Sequence, residues 1–164
     1  MPDSPPLDPE QLAAYFALME VSSVLAHAVE QQLREEGGLS YIQFQILAVL
    51  GETPDGRHRM TDLADRLVHS RSGLTYQVAQ LAEAGLVTRA PSSDDERSTV
   101  VTATAQGLAL LGGVMPGHVD VVQRILMASL TRDDIAVLTD VLGRVREHMR
   151  TIPPRSAAPR RKAK

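Results

Sequence analysis

The chain lacks several features that would place it in a common class. It contains no cysteine, so disulfides and thiol-based peroxide sensing are excluded. It has no P-loop and no glycine-rich dinucleotide turn, which argues against an enzyme. We expect no apolar run long enough to span a membrane, and the acidic, proline-rich start MPDSPPLDPEQ does not read as a signal peptide. These absences predict a cytoplasmic protein that is not an enzyme.

The charge pattern does not by itself indicate a nucleic-acid-binding protein. The net charge is −3, whereas nucleic-acid-binding domains are commonly basic. Acidic residues concentrate in residues 1–56, residues 57–97 carry as many bases as acids, and residues 153–164 form a basic tail. Any DNA-binding function must therefore be argued from motifs and their spacing.

The stretch Met60–Thr104 predicts a helix, a turn, a second helix and a two-stranded β-ribbon. Thr61 is expected to cap the first helix, Ser70 the second, and Gly85 to end the second in a left-handed conformation. The predicted strands are Leu86–Arg89 and Ser98–Thr102, joined by a polar loop at Ala90–Arg97. The apolar positions with helical spacing are Leu63, Ala64, Leu67, Leu74, Val78 and Leu81.

This order of elements is typical of a winged DNA-binding domain. A major groove admits one α-helix, and a β-ribbon beside it can reach the flanking minor groove. Turning the apolar side of the second helix inward leaves its polar side free to face bases. The alternative is a small helical hairpin on a β-ribbon that binds no DNA. The candidate DNA-binding residues are Ser70, Arg71, Ser72, Thr75, Tyr76, Gln80 and Arg97.

The residues LADRL, SRSGLTYQVAQLAEAGLVTR and DDERSTVVTATAQG together resemble the MarR family of bacterial transcription regulators. The resemblance extends from about Glu10 to about Arg150. It implies that Asp95 supports Arg97 at the tip of the wing. It also implies a homodimer held by the terminal helices, and a small, often aromatic or phenolic effector that releases DNA. The effector's identity and its pocket residues cannot be read from the sequence.

The remaining segments predict long helices on both sides of this region. One helix runs from about Pro9 to Glu36 and another from about Ser40 to Gly51. A helix after Thr104, which is expected to cap it, should kink or break near Met115–Gly117, and the last helix begins after Thr131. We therefore predict a mainly α, winged helix-turn-helix fold in a single subunit, 1–164. Its parts are dimerisation helices 10–36 and 105–151, a DNA-binding lobe 40–104, and a disordered tail 153–164.

The sequence favours a sequence-specific transcription regulator, a ligand-responsive repressor that binds a pseudo-palindromic operator as a homodimer without a cofactor. Two alternatives remain open. A zinc-responsive regulator of the same fold is the first, because His27 and His148 lie on terminal helices that could meet across a dimer. A winged-helix protein–protein adaptor is the second, because the charge of residues 57–97 is balanced.

Overall fold

The computed structural model of the chain describes residues 5–67, 71–92 and 98–151. Six α-helices, three strands and one 3-10 turn follow one another in these ranges. In chain order they are α1 Pro9–Gly37, α2 Tyr41–Gly51, β1 Arg57–Arg59, α3 Met60–Leu67, α4 Arg71–Glu83, β2 Val87–Pro91, β3 Thr99–Ala103, α5 Ala105–Ile125, the 3-10 turn Met127–Ser129 and α6 Arg132–Thr151.

Local capping signals explain where the first two helices begin. The Asp8 carboxylate accepts a hydrogen bond from the Gln11 backbone N–H, and the Gln11 side-chain oxygen accepts one from the Asp8 backbone N–H, which forms a capping box at the start of α1. Ser40 and Gln43 form the same arrangement at α2. Gly38 ends α1 in the left-handed region at φ 62°, which a glycine adopts without strain.

The β-ribbon is part of a three-stranded antiparallel sheet in the order β1-β3-β2. The two predicted strands are present, with Val87 opposite Ala103 and Pro91 opposite Thr99. The predicted start of the loop at Ala90 is wrong, because β2 continues through Pro91. The strand β1, whose His58 pairs with Val101, was not predicted from the sequence. The predicted cap at Thr61 is wrong, because α3 begins at Met60 directly after β1 and therefore includes Thr61.

A single apolar core lies beneath the helix-turn-helix elements. The predicted inward faces of α3 and α4 are confirmed, and Gly85 takes the predicted left-handed conformation at φ 73°. Burial of these side chains holds α4 against the apolar core. The side chains in this part of the core that are almost fully buried are Leu47, Leu50, Leu63, Leu74, Val78, Leu81 and Val101.

The helix α5 is continuous from Ala105 to Ile125, so a break near Met115–Gly117 is wrong, and a kink there stays a prediction. Pro116 lies inside the helix, where the missing backbone N–H removes one hydrogen bond. The buried Gln32 of α1 donates to the Val114 carbonyl at 3.1 Å, and Val114 and Val121 are buried. Packing of α5 against α1 therefore stabilises the helix across the proline.

The start of α5 approaches the start of β2 very closely. A Cβ on Gly107 would lie 2.1 Å from the Leu86 carbonyl oxygen, so only glycine fits there. Thr104 caps α5 as predicted by accepting from the Gly107 backbone, and its hydroxyl donates to the Gly85 carbonyl at 2.7 Å. These contacts join the residues that follow α4 to the first turn of α5.

The terminal helices leave much apolar surface exposed. Among the described residues, α6 contains no buried side chain. The helix α1 is also long and apolar enough, by length and composition alone, to cross a membrane, so the expectation that no such run exists is wrong. Its long central part carries few charged residues. The exposed large apolar residues include Leu12, Tyr15, Phe16, Met19, Val21 and Val24 in α1 and Val137, Leu138, Val141, Leu142, Val145 and Met149 in α6.

Candidate nucleic-acid interface

The helix α4 has one buried face and one polar, exposed face. Leu74, Val78 and Leu81 anchor the buried face and are almost completely covered. The side chains of four candidate DNA-binding residues are exposed on the rest of the helix surface. They are Ser72, Thr75, Tyr76 and Gln80. A polar helix face held rigidly by a core on its other side suits insertion into a major groove.

Tyr76 and Gln80 are joined on this face. The Gln80 side-chain amide nitrogen Nε2 donates to the Tyr76 hydroxyl at 2.9 Å. The two residues are four positions apart, which places them one above the other on a helix. Tyr76 is 61% exposed although its ring is large and apolar, which is the position expected of a contact residue rather than a core residue. Both residues were predicted from the sequence to bind DNA, but the hydrogen bond between them was not predicted.

Part of the predicted site lies outside the described residues. Ser70, Asp95 and Arg97 fall there, so the proposed cap of α4 and the Asp95–Arg97 support in the wing stay predictions. Arg71 is the first residue of α4, and its side chain also lies outside the described part of the chain. The strands that carry the wing are described, and the Ser92 backbone donates to the Ser98 carbonyl at 2.8 Å at their far end.

The arginines near the interface differ in their surroundings. Arg66 on α3 pairs with Glu52, and Arg57 pairs with Asp55 at 3.3 Å. Both pairs are exposed, and such pairs contribute little to stability. Arg89 on β2 is exposed as well. The exposed pairs at Arg57 and Arg66 reduce the positive charge that this surface presents to phosphate groups.

The histidines do not assemble a metal site in the described residues. No group of three or more His, Cys, Asp or Glu side chains in residues 5–67, 71–92 and 98–151 could hold an ion. His118 instead packs against the Phe44 ring, with ring centroids 4.7 Å apart, and burial lowers the pKa of its imidazole below the usual 6.5. His27 and His148 are exposed on α1 and α6, and their meeting across a dimer stays a hypothesis.

Comparisons with known proteins agree with this geometry. Residues 37–98 match the model of the MarR family. The transcriptional repressor YetL of Bacillus subtilis (strain 168) is 27% identical over 143 residues, which cover 87% of this chain and 84% of YetL.

Two solved structures from Streptomyces coelicolor share the whole architecture. AbsC, a MarR family transcriptional regulator, is 31% identical with a TM-score of 0.83, over 91% of this chain and 100% of AbsC. Sco3205, a MarR family transcriptional regulator solved in complex with DNA, is 29% identical with a TM-score of 0.85, over 95% of this chain and 96% of Sco3205. The chain therefore belongs to the MarR family of DNA-binding transcriptional regulators, which are not enzymes.

Proposed function

We propose that this regulator acts in the cytoplasm as a homodimeric repressor and places α4 of each subunit in the major groove of a pseudo-palindromic operator. The observation that supports this most directly is the exposed polar face of α4, set against a fully buried opposite face. A mobility-shift assay on the DNA upstream of the protein's own gene tests it. Failure to bind that DNA or any duplex from a randomised library would favour a protein–protein adaptor.

The homodimer is proposed because the terminal helices do not cover their own apolar surface. Leu138, Val141 and Val145 lie at helical spacing on α6, and each is exposed. A second copy can cover this surface and that of α1, and the symmetric pair then presents two copies of α4 to the duplex. Light scattering should give twice the 17.8 kDa chain mass, and a monomer mass at micromolar concentration would contradict the proposal.

The two-fold arrangement sets the expected spacing of the operator. Two recognition helices on the same side of the duplex require half-sites about one helical turn apart, roughly 10–10.5 bp centre to centre. Footprinting of the operator should show two such symmetric half-sites. A single asymmetric half-site would contradict the symmetric mode of binding.

The wing and the basic tail are proposed to contact the DNA backbone and minor groove. In the sequence Arg97 falls between β2 and β3, and an arginine at the tip of a β-ribbon can enter a narrow minor groove. Arg97→Ala should weaken binding to many sequences and reduce the salt dependence by roughly one counterion, and Asp95→Ala should partly reproduce this. Removal of residues 153–164 should also reduce the salt dependence and leave sequence preference unchanged.

We also propose that a small phenolic effector binds in a cleft between the end of α1 and the winged lobe. The cleft measures about 420 Å³, within the usual range for small-molecule sites. Its buried apolar floor comprises Leu39, Leu81 and Leu86, and Glu83 on its rim can accept a hydrogen bond from a phenol. Because Gln80 also lines the cleft, a ligand there lies beside the DNA-facing side of α4.

Thermal shifts with phenol, catechol and salicylate test this effector site. Ala84→Phe should fill the cleft and remove the shift while DNA binding persists. Ala109→Phe on the exposed surface of α5 serves as the matched control, since Ala109 does not line the cleft. An unchanged shift in Ala84→Phe would place the ligand elsewhere. A large shift with zinc, reversed by chelator, would instead favour the metal-responsive alternative.

A further inference from the structure

The hydrogen bond between Gln80 and Tyr76 determines how the Tyr76 hydroxyl can be used. A phenol has one O–H donor and two acceptor lone pairs, whereas the nitrogen of a glutamine side chain can only donate. The Gln80 Nε2 donates to the Tyr76 oxygen at 2.9 Å, so it occupies one lone pair and cannot accept the hydroxyl hydrogen. That hydrogen must therefore point away from Gln80.

The direction of this hydrogen matters because the two residues lie on the exposed side of α4. Each base edge in the major groove presents its own set of donors and acceptors. Guanine presents two neighbouring acceptors, N7 and O6, whereas cytosine presents the N4 amino donor. A hydroxyl fixed as a donor is complementary to both acceptors of guanine, finds one acceptor at adenine (N7) or thymine (O4), and faces a second donor at cytosine.

We propose that Tyr76 and Gln80 form one base-reading unit, in which Gln80 is a positioning residue and the Tyr76 hydroxyl donates to guanine N7 or O6. The inference rests on the proposed insertion of α4 into the major groove. It goes further in naming the base, the donor atom and the residue that orients the donor. Gln80 needs no base contact of its own in this arrangement.

Removal of either member should produce the same change in sequence preference. We would select duplexes from a randomised library with the full-length protein and with Tyr76→Phe, Gln80→Ala and the double variant. Each variant should lose the preference for guanine over cytosine at one position of each half-site, by about three- to tenfold, the size expected of one hydrogen bond. The double variant should lose no more than either single variant. Additive losses, or losses at two different positions, would contradict a single unit.

Gln80→Glu gives the sharper test because it reverses the direction of the hydrogen bond between residue 80 and Tyr76. A carboxylate can only accept, so the Tyr76 hydroxyl hydrogen should turn toward it and expose an oxygen lone pair to the base. Preference at the same position should then shift from guanine toward the amino groups of cytosine or adenine. Gln77→Glu adds the same charge to the same helix without replacing the partner of Tyr76, and it should retain the guanine preference.

The outcomes separate this inference from the proposed function. If the unaltered protein selects no sequence, DNA reading by α4 fails altogether. If it selects an operator but Gln80→Glu and Gln80→Ala keep its preference, Gln80 does not orient Tyr76 and the inference is overturned. If Tyr76→Phe weakens every sequence equally, the hydroxyl contacts a phosphate and not a base. Circular dichroism of each variant checks that the helices are intact.

Discussion

The winged lobe, residues 40–104, and the terminal helices differ in how far their apolar side chains are covered. In the lobe, Leu63, Leu74 and Val101 are fully covered by neighbouring elements of the same chain. In α6, the similarly apolar Val137 and Met149 are each 63% exposed. The comparison indicates that the lobe is stabilised by its own core, whereas the apolar side chains of α6 are left uncovered by their own chain.

The largest effect is expected from a cavity in the lobe. Leu81→Ala removes a side chain that is 1% exposed, and such changes cost about 2–5 kcal/mol of unfolding free energy. Urea unfolding followed by circular dichroism measures this loss. The loss should be the same at every protein concentration, because Leu81 lies within one subunit. A loss that depends on concentration would mean that the lobe core also depends on the dimer.

The next effect concerns α6 and should depend on concentration. Val141→Asp places a charge on the exposed apolar face of α6, and burying an unpaired charge in a dimer interface is costly. We expect dimer dissociation to rise at least about tenfold, which corresponds to roughly 1.4 kcal/mol. Sedimentation over a dilution series measures this change. Asp140→Asn, which lies beside Val141 in an exposed ion pair with Arg144, is the matched control and should leave dissociation unchanged.

A smaller loss of unfolding free energy is expected at Thr104, where the winged lobe meets α5. Thr104 accepts from the Gly107 backbone and donates to the Gly85 carbonyl. Thr104→Val keeps the shape of the side chain but removes both hydrogen bonds, so we expect a loss of about 1 kcal/mol in thermal or urea unfolding. Thr104→Ser retains the hydroxyl and should be close to the unaltered protein. An unchanged stability in Thr104→Val, or a loss in Thr104→Ser as large as that in Thr104→Val, would contradict the assignment of the effect to these hydrogen bonds.

The smallest effect is a pH dependence at the contact of α5 with α2. Burial lowers the pKa of the His118 imidazole in the folded protein, so the unfolded chain takes up the proton first as the pH falls. This group therefore contributes stability above about pH 6.5, which is lost as the pH falls toward the folded pKa. His118→Phe should make the urea midpoint less sensitive to pH between about 7 and 5. An unchanged pH profile would show that other groups dominate.

The sequence predicted those parts of the fold that depend on local signals. The caps at Thr104 and Gly85 and the apolar spacing of Leu74, Val78 and Leu81 were correct because each depends on nearby residues. The strand β1 was missed because its three residues, Arg57-His58-Arg59, carry no apolar pattern, and because its pairing with β3 is non-local.

The other errors also depended on long-range packing. Continuity of α5 across Pro116 depends on α1, which contacts it through the distant Gln32. On the polar side of α4, exposure of Tyr76 and Gln80 was predictable from helical spacing. The direction of their hydrogen bond depends on side-chain rotamers, which spacing does not specify.

The absence of a side chain at Gly107 has a mechanical consequence for regulation. Because the Leu86 carbonyl lies against the first turn of α5 with no side chain between them, we expect these two segments to move together, with this contact as the pivot. The helix α5 extends about 30 Å from this pivot, and a rotation of about 6° displaces its far end by about 3 Å, close to the 3.4 Å rise of one base pair. In a symmetric dimer, such a rotation of α5 relative to the winged lobe would therefore displace the two copies of α4 from their half-sites by about one base pair.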